Sequence, residues 1–216
     1  MIFRFIKEQR YFFIPYFIFI VIGVTLVFNE NKIDLHLYLT KAYSDFADDF
    51  FFWLTKLAEG WLGVPLLIFL LFYQYRAFLF VGITYALSGI ITQVLKANVF
   101  QTHDRPIHFL KVHPLFRKIE NLEYSEFLGF PSGHSTSAFA LLFCMSILTK
   151  NNYLKLVLIL TAIAIAYSRI YLSQHFLHDI IAGSFVGVGT GLLLYFFIYE
   201  KKILFSSDKF EGKLKF

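Results

Sequence analysis

Three short polar segments carry the residue types that anion binding and proton transfer require. The first has the sequence Pro-Ser-Gly-His at residues 131–134, the second runs from Ser168 to Asp179, and the third from Lys96 to Pro106. Each lies at the end of an apolar stretch, where charged side chains are costly and mark functional sites. Together the segments supply cations, histidines and a carboxylate, the groups needed to bind an anion and to move protons around it.

His175 and Asp179 are the strongest pair within the second segment, because they are four residues apart. On a helix the carboxylate can then accept a hydrogen bond from one imidazole nitrogen and leave the other nitrogen free. A histidine held in this way can serve as a general base, a nucleophile or a metal ligand, and the pair alone leaves these roles open. A metal site that adds His134 and His178 is disfavoured, because paired ligands need a shared face.

The first segment predicts a helix start that binds phosphate-like anions. Proline and serine suit the first turn of a helix, and Gly133 would let a ligand approach bare backbone amides. Lys96, Arg105 and Arg169 would add positive charge, and the planar fork of arginine matches phosphate oxygens. Taken singly, each of these cations could instead be an interfacial side chain that reaches toward water.

The composition is that of a membrane protein. Of the 216 residues, 57% are apolar and 20% aromatic, and the mean hydropathy is +0.61, which indicates the bilayer as solvent. Six apolar stretches approach the length of about 20 residues that crosses a bilayer. The three clearest are 11–28, 77–95 and 180–199, and the others are 50–75, 133–149 and 153–168. The predicted fold is an all-α, polytopic membrane bundle of about six transmembrane helices.

The distribution of positive charge predicts the orientation. The first apolar run is interpreted as a retained helix and not as a cleaved signal, since it is long and lacks a small-residue exit. With both termini in the cytoplasm, eleven of the 20 Lys and Arg lie inside, and three of the remainder are Lys96, Arg105 and Arg169. The positive-inside rule then places the polar segments on the outer face of the cytoplasmic membrane. The net charge of +5 fits anionic lipid head groups, and no basic-aromatic motif indicates nucleic acid.

Residues 1–216 are predicted to form a single domain, because no repeat, low-complexity linker or second soluble unit interrupts the sequence. Residues 97–130 are a candidate cap over the site, and their charged side chains other than Arg105 are interpreted as solvated. Cys144 is the only cysteine, which excludes an intrachain disulfide. Three glycines recur every four residues and predict close helix packing. They are Gly183, Gly187 and Gly191.

In type, order and spacing, these segments resemble the motifs of the type 2 phosphatidic acid phosphatase superfamily, which shares its site with vanadium haloperoxidases. The family's Pro-Ser-Gly-His motif is complete at 131–134. Its Ser-Arg, five residues, His, three residues, Asp motif is complete from Ser168 to Asp179. The remaining motif departs from the pattern, since eight residues separate Lys96 from Arg105, two more than the family's usual spacing. The resemblance spans about residues 77–191.

The resemblance implies a phosphatase that works without a metal or other cofactor. His175 would attack phosphorus and form a phosphohistidine, and Asp179 would hold its imidazole. His134 would protonate the leaving oxygen and later take a proton from water. Charge complementarity toward the phosphoryl group is the main catalytic contribution in such reactions. The phosphoryl oxygens would be bound by Lys96, Arg105, Ser132, Gly133 and Arg169.

The implied substrate is a membrane lipid phosphate or diphosphate whose tail stays in the bilayer while its head group reaches the site. Candidates are phosphatidic acid, phosphatidylglycerophosphate, undecaprenyl diphosphate and the phosphates of lipid A. A lipid phosphotransferase would use the same residues but pass the phosphoryl group to another lipid hydroxyl. A non-catalytic lipid-phosphate binder or transporter is the alternative from a different functional class.

Overall fold

A computed structural model describes residues 2–61, 63–119 and 122–214. Within these ranges the regular structure is helical, and no strand is present. Single π-helical turns follow α4 and α10 at Leu57–Trp61 and Phe196–Glu200. The α-helices are α1 (Ile2–Glu8), α2 (Arg10–Asn29), α3 (Lys32–Thr40), α4 (Asp45–Lys56), α5 (Gly63–Tyr73), α6 (Tyr75–Asn98), α7 (Pro106–Leu110), α8 (Gly133–Leu148), α9 (Asn152–Tyr171) and α10 (Leu177–Tyr195).

The six predicted apolar segments all coincide with helices. Among the described residues, four helices are long and apolar enough to cross a membrane: α2, α6, α9 and α10 with its π-helical extension. Helices α4 and α5 provide a fifth span if they are taken together, with a bend of 49° between them. Helix α8 is apolar but shorter, with 16 residues. The prediction of an all-α polytopic bundle is confirmed.

Short connections place the polar segments at one end of this bundle. Residues 149–151 join α8 to α9, and residues 172–176 join α9 to α10, which makes consecutive helices antiparallel neighbours. The start of α8, the end of α9 and the start of α10 therefore meet. The end of α6 joins them, because Thr92 Oγ1 donates a hydrogen bond of 3.0 Å to Thr136 Oγ1 near the start of α8.

Helix α8 lies in the centre of the bundle and packs against α6, α9 and α10. Its contact with α10 is close because glycines face it. A methyl group at Gly183 would lie 2.5 Å from the Ser132 carbonyl oxygen, and one at Gly187 would lie 2.6 Å from the Thr136 carbonyl oxygen. At Gly191 it would lie 2.7 Å from the Phe143 ring. The close helix packing predicted from the glycine spacing is confirmed.

Replacing Gly187 by alanine is expected to lower the free energy of unfolding by about 1–3 kcal/mol, because overpacking a tight contact forces neighbouring backbone to shift. Besides Thr136, the new methyl would lie 2.7 Å from the Ala140 amide nitrogen. Thermal unfolding in detergent measures the effect. Gly189→Ala on the same helix is the matched control, since a methyl there meets nothing within 4 Å. Equal midpoints for the two variants would contradict this account of the packing.

Candidate active site

The side chains of His175 and Asp179 form the buried centre of the site, and each side chain is 2% exposed. His175 Nδ1 lies 3.3 Å from Asp179 Oδ2, which also accepts a 2.9 Å hydrogen bond from the Phe176 amide. Burial lowers the pKa of His175 to about 3, so its imidazole is neutral at pH 7 although Asp179 acts in the opposite direction. A neutral ring that donates from Nδ1 leaves the Nε2 lone pair free.

His178 is a second partner of the same carboxylate. Its Nε2 lies 3.1 Å from Asp179 Oδ1, and its ring stacks on those of Phe176 and Phe130. His178 thus contacts the carboxylate oxygen that His175 does not. In the described part of the chain, no cluster of three His, Cys, Asp or Glu side chains has the arrangement of a metal site.

The connection between α9 and α10 fixes the position of His175. The amides of Gln174 and His175 both donate to the Arg169 carbonyl, at 2.9 and 3.1 Å. Ser173 adopts a left-handed φ of 52°, and its hydroxyl lies 3.1 Å from Nε2 of the buried His36 on α3. Burial lowers the pKa of His36 to about 4, so this supporting contact involves a neutral imidazole at pH 7.

The start of α8 is tied directly to the start of α10. The Ser132 amide donates to the Asp179 carbonyl at 3.0 Å, and Ser135 Oγ donates to the Ile180 carbonyl at 2.6 Å. The Ser132 hydroxyl accepts from the Ser135 amide at 3.4 Å and so caps the helix. A Cβ at Gly133 would meet nothing within 4 Å, which leaves open space beside the first turn. An anion can therefore approach the first amides of α8.

Three cations surround this pair of helix starts. Arg169 is buried, and its Nη1 donates a 2.8 Å hydrogen bond to Thr55 Oγ1. Its buried Nε has no partner among the described residues, so part of the guanidinium fork is available to a ligand. Lys96 is buried in the last turn of α6 and lies within electrostatic range of Arg105, Arg169 and Asp179.

Arg105 reaches the site from the polar connection between α6 and α8. Its Nε donates to the Phe127 carbonyl at 3.0 Å, and its Nη1 donates to Gln174 Oε1 at 3.3 Å, next to His175. Burial lowers the pKa of Arg105, with Asp179 acting in the opposite direction. Because arginine ordinarily titrates far above neutrality, it remains a cation. The two extra residues between Lys96 and Arg105 therefore do not keep the guanidinium away from the end of the bundle where His175 lies.

The described parts of segment 97–130, residues 97–119 and 122–130, fold back against the helices. Arg117 forms a bidentate ion pair with Asp48 on α4 at 2.5 and 2.7 Å, and the Tyr171 hydroxyl donates to the same carboxylate. Gln174 Nε2 donates to the Glu123 carbonyl at 2.9 Å. The interpretation of the charged residues of this segment as solvated is thus wrong for Arg117, because a partly buried carboxylate from another element pairs with it.

His134, the histidine of the Pro-Ser-Gly-His motif, has a partner that the motifs do not indicate. Its Nε2 lies 3.2 Å from Glu59 Oε1 in the π-helical turn after α4. Thr55, one turn earlier, holds Arg169. Sequence reasoning missed both residues. The available signal was a carboxylate inside the predicted span 50–75, since an ionisable residue within an apolar segment usually faces the bundle interior and has a partner.

All eight residues proposed from sequence for the site lie at the same end of the bundle. They are at the ends of α6, α8, α9 and α10 or in the adjoining connections. Residues 77–203, more than half of the chain, match the PAP2 superfamily. The chain belongs to this superfamily. The PAP2 match contains the Lys96 to Pro106 segment and both complete motifs, whereas Thr55 and Glu59 precede it.

Three PAP2 relatives of the chain have named activities. A lipid A 4'-phosphatase from Bacteroides thetaiotaomicron is 32% identical over 80 residues, which cover 37% of this chain and only 36% of that protein. A lipid A 4'-phosphatase from Porphyromonas gingivalis is 29% identical over 173 residues, or 76% of this chain and 70% of that protein. An undecaprenyl-diphosphatase from Sulfolobus acidocaldarius is 27% identical over 192 residues, or 83% and 87%.

Two crystal structures share the PAP2 fold with this chain. LpxE from Aquifex aeolicus is 27% identical and superposes with a TM-score of 0.65 over 76% of this chain and 93% of that chain. A PAP2-type phosphatidylglycerolphosphate phosphatase from Bacillus subtilis is 18% identical, with a TM-score of 0.62 over 89% and 96%. At 18% identity, the similarity to the Bacillus subtilis structure shows a shared fold.

Proposed function

We propose that the protein is an integral membrane phosphatase that hydrolyses a lipid phosphate or diphosphate through a phosphohistidine intermediate. The observation that carries the proposal is a buried, neutral His175 paired through Nδ1 with Asp179, at the helix ends where Arg105 and Arg169 also lie. A nucleophile with one free nitrogen, beside groups that bind phosphoryl oxygens, is the arrangement that phosphoryl transfer to nitrogen requires.

In the first step, His175 Nε2 attacks phosphorus, so that a P–N bond forms as the bond from phosphorus to the leaving oxygen breaks. His134 donates a proton to that oxygen, and the dephosphorylated lipid departs. Asp179 stabilises the positive charge that develops on the His175 ring. The phosphoryl oxygens are held by cations and by the first turn of α8. These groups are Lys96, Arg105, Arg169, Ser132 and Gly133.

In the second step, His134, now neutral, accepts a proton from water as the water oxygen attacks phosphorus. The P–N bond breaks, inorganic phosphate leaves, and His175 returns to its neutral form. The two histidines thus have different tasks, one as nucleophile and one as general acid and base. Hydrolysis follows when water occupies the acceptor position, whereas phosphotransfer would require a lipid hydroxyl there.

Among lipid phosphates, we place lipid A phosphates first and undecaprenyl diphosphate second. The support comes from the names of the Porphyromonas and Sulfolobus relatives, which align over most of both chains. Phosphatidic acid and phosphatidylglycerophosphate remain candidates with the same head-group chemistry. In each case apolar helix surfaces leave the lipid tail in the bilayer. A membrane lipid thereby presents its phosphate at the end of the bundle where the site lies.

The excess of Lys and Arg at the opposite end of the bundle supports cytoplasmic termini and an outward-facing site in the cytoplasmic membrane. Arg76, for example, lies at the start of α6 and pairs with Glu211 near the C-terminus. The substrate phosphate would then be taken from the outer leaflet. Segment 97–130 is proposed to cap the site on that side.

Purified protein in detergent is expected to release phosphate from at least one member of a panel of these four lipids, and release is expected to persist in a chelator. Inorganic phosphate measured by colorimetry, with the lipid product identified by mass spectrometry, tests both statements. Phosphate transferred to a second lipid would instead identify a phosphotransferase. Retention of a labelled lipid phosphate by folded protein, with no product from any member, would favour the non-catalytic binder.

A further inference from the structure

Glu59 lies in a local break of the second membrane segment. The chain changes there from α-helix to a π-helical turn at Leu57–Trp61, before α5 begins at Gly63. The two halves of the segment meet at 49°. Single π-helical turns are rare and occur frequently at functional sites. This break places a carboxylate at the catalytic end of the bundle.

The contacts of Glu59 connect it to the proposed proton donor. Its Oε1 lies 3.2 Å from His134 Nε2, and its Oε2 lies 2.8 Å from Lys56 Nζ. One helical turn earlier, Thr55 Oγ1 accepts from Arg169 Nη1 at 2.8 Å. Thus α4 and its π-helical turn supply a partner for the catalytic histidine and another for a phosphate-binding arginine. Neither partner belongs to a motif.

The charges that face His134 explain why it needs this carboxylate. Arg169 on α9 and Arg105 in the connection 97–130 are both within electrostatic range of its ring. Burial of the ring and the two neighbouring cations disfavour an imidazolium, whereas an opposite charge at hydrogen-bond distance favours it. Glu59 is the acidic side chain in contact with the ring. Glu59 therefore stabilises the protonated form of His134 against burial and the two cations.

We propose that Glu59 is a positioning residue for catalysis: it fixes the ring of His134 through Nε2 and maintains the proton that His134 delivers to the leaving oxygen. With Nε2 occupied by Glu59, Nδ1 is the nitrogen that faces the reaction. This inference rests on the proposed phosphohistidine mechanism. It adds to the site a residue from the N-terminal half of the chain, outside the segment that matches the superfamily.

The test compares Glu59→Gln with wild type by following phosphate release over a range of pH, with the lipid that wild type hydrolyses fastest. Gln keeps the size and one oxygen of Glu but removes the charge. We expect kcat/KM near neutrality to fall about 10- to 50-fold, part of the contribution of a general acid. We also expect the alkaline limb of the kcat/KM profile to move to lower pH by about one unit, because the imidazolium loses its counter-charge.

Two further variants separate this role from a structural one. Glu59→Asp keeps the charge and is expected to retain a wild-type alkaline limb even where its rate is reduced. Glu8→Gln removes a carboxylate from an exposed pair with Arg4, far along the chain from the site, and is expected to match wild type in rate and pH profile. Thermal unfolding of each variant in detergent reports whether the bundle is intact.

A downward shift of the alkaline limb in Glu59→Gln, restored in Glu59→Asp, supports the inference. An unchanged profile in Glu59→Gln overturns it, whether the rate is unaffected or falls together with thermal stability. If wild type hydrolyses no lipid in the panel, the proposed function itself fails, and the inference fails with it. If wild type is active and Glu59→Gln has the same rate and pH profile, only the inference fails.

Discussion

Replacing His175 by alanine is expected to reduce phosphate release by more than about 10⁴-fold, because removal of a nucleophile eliminates the covalent route and leaves only transition-state binding. The side chain is buried and neutral, and Asp179 engages its Nδ1, so Nε2 is the free nitrogen that the substitution removes. The measurement is steady-state phosphate release from the best lipid of the panel. Rapid quenching of wild type under alkaline conditions should also trap a phosphorylated protein that His175→Ala does not form.

His113→Ala is the matched control for this variant. His113 lies in the polar segment 97–130 and accepts a hydrogen bond from the Leu115 amide, so its loss tests for a general sensitivity to histidine removal on the same side of the membrane. It should retain most of the wild-type rate. Residual turnover in His175→Ala within about 10-fold of wild type would rule out the phosphohistidine route.

The motif residues and the apolar spans were predictable because they depend on local sequence. Apolar length reports on membrane crossing, and the spacing of His175 and Asp179 places both on one helical face. The glycines of α10 likewise indicated close packing, which the structure realises against α8. Helix α8 and the bent pair of α4 and α5 are less regular than the other spans, and apolar composition alone did not predict this difference.

The partners of the motif residues could not be predicted, because they come from distant parts of the chain. Thr55 reaches Arg169 across 114 positions, and Glu59 reaches His134 across 75. The long spacing between Lys96 and Arg105 likewise did not predict whether Arg105 lies at the site. A turn follows α6, where the amides of Val99 and Phe100 both donate to the Leu95 carbonyl. The chain reverses there and returns Arg105 to the site.

The site illustrates how one carboxylate organises several elements. Asp179 Oδ2 receives both the Phe176 amide and His175, Oδ1 faces His178, and the Asp179 carbonyl receives the Ser132 amide. A single residue in the first turn of α10 therefore holds the proposed nucleophile and also the start of α8. Its backbone and side chain have separate tasks, so a substitution that changes only the side-chain charge can distinguish them.

Asp179→Asn is such a substitution, and it is expected to lower kcat by about 10²- to 10³-fold while the protein remains folded, as the loss of one electrostatic contact to the transition state does in other enzymes. The asparagine oxygen can take the place of Oδ2, where it still accepts from the Phe176 amide and from His175 Nδ1, and the Ser132 contact to the backbone is unchanged. The amide NH₂ then lies beside His178, in the place of Oδ1. The proposed phosphohistidine would lose the negative charge that stabilises its positively charged ring.

The loss in Asp179→Asn should therefore lie in kcat, with KM changed by less than about 3-fold, because an interaction made only in the transition state has been removed. Asp49→Asn on the exposed face of α4 is the matched control and should behave as wild type. A large rise in KM with kcat preserved would contradict this role of the carboxylate charge, since it would mean that Asp179 acts on substrate binding. A preserved thermal midpoint with reduced kcat would show that the carboxylate acts on the nucleophile, separately from the backbone contact that joins the two helix starts.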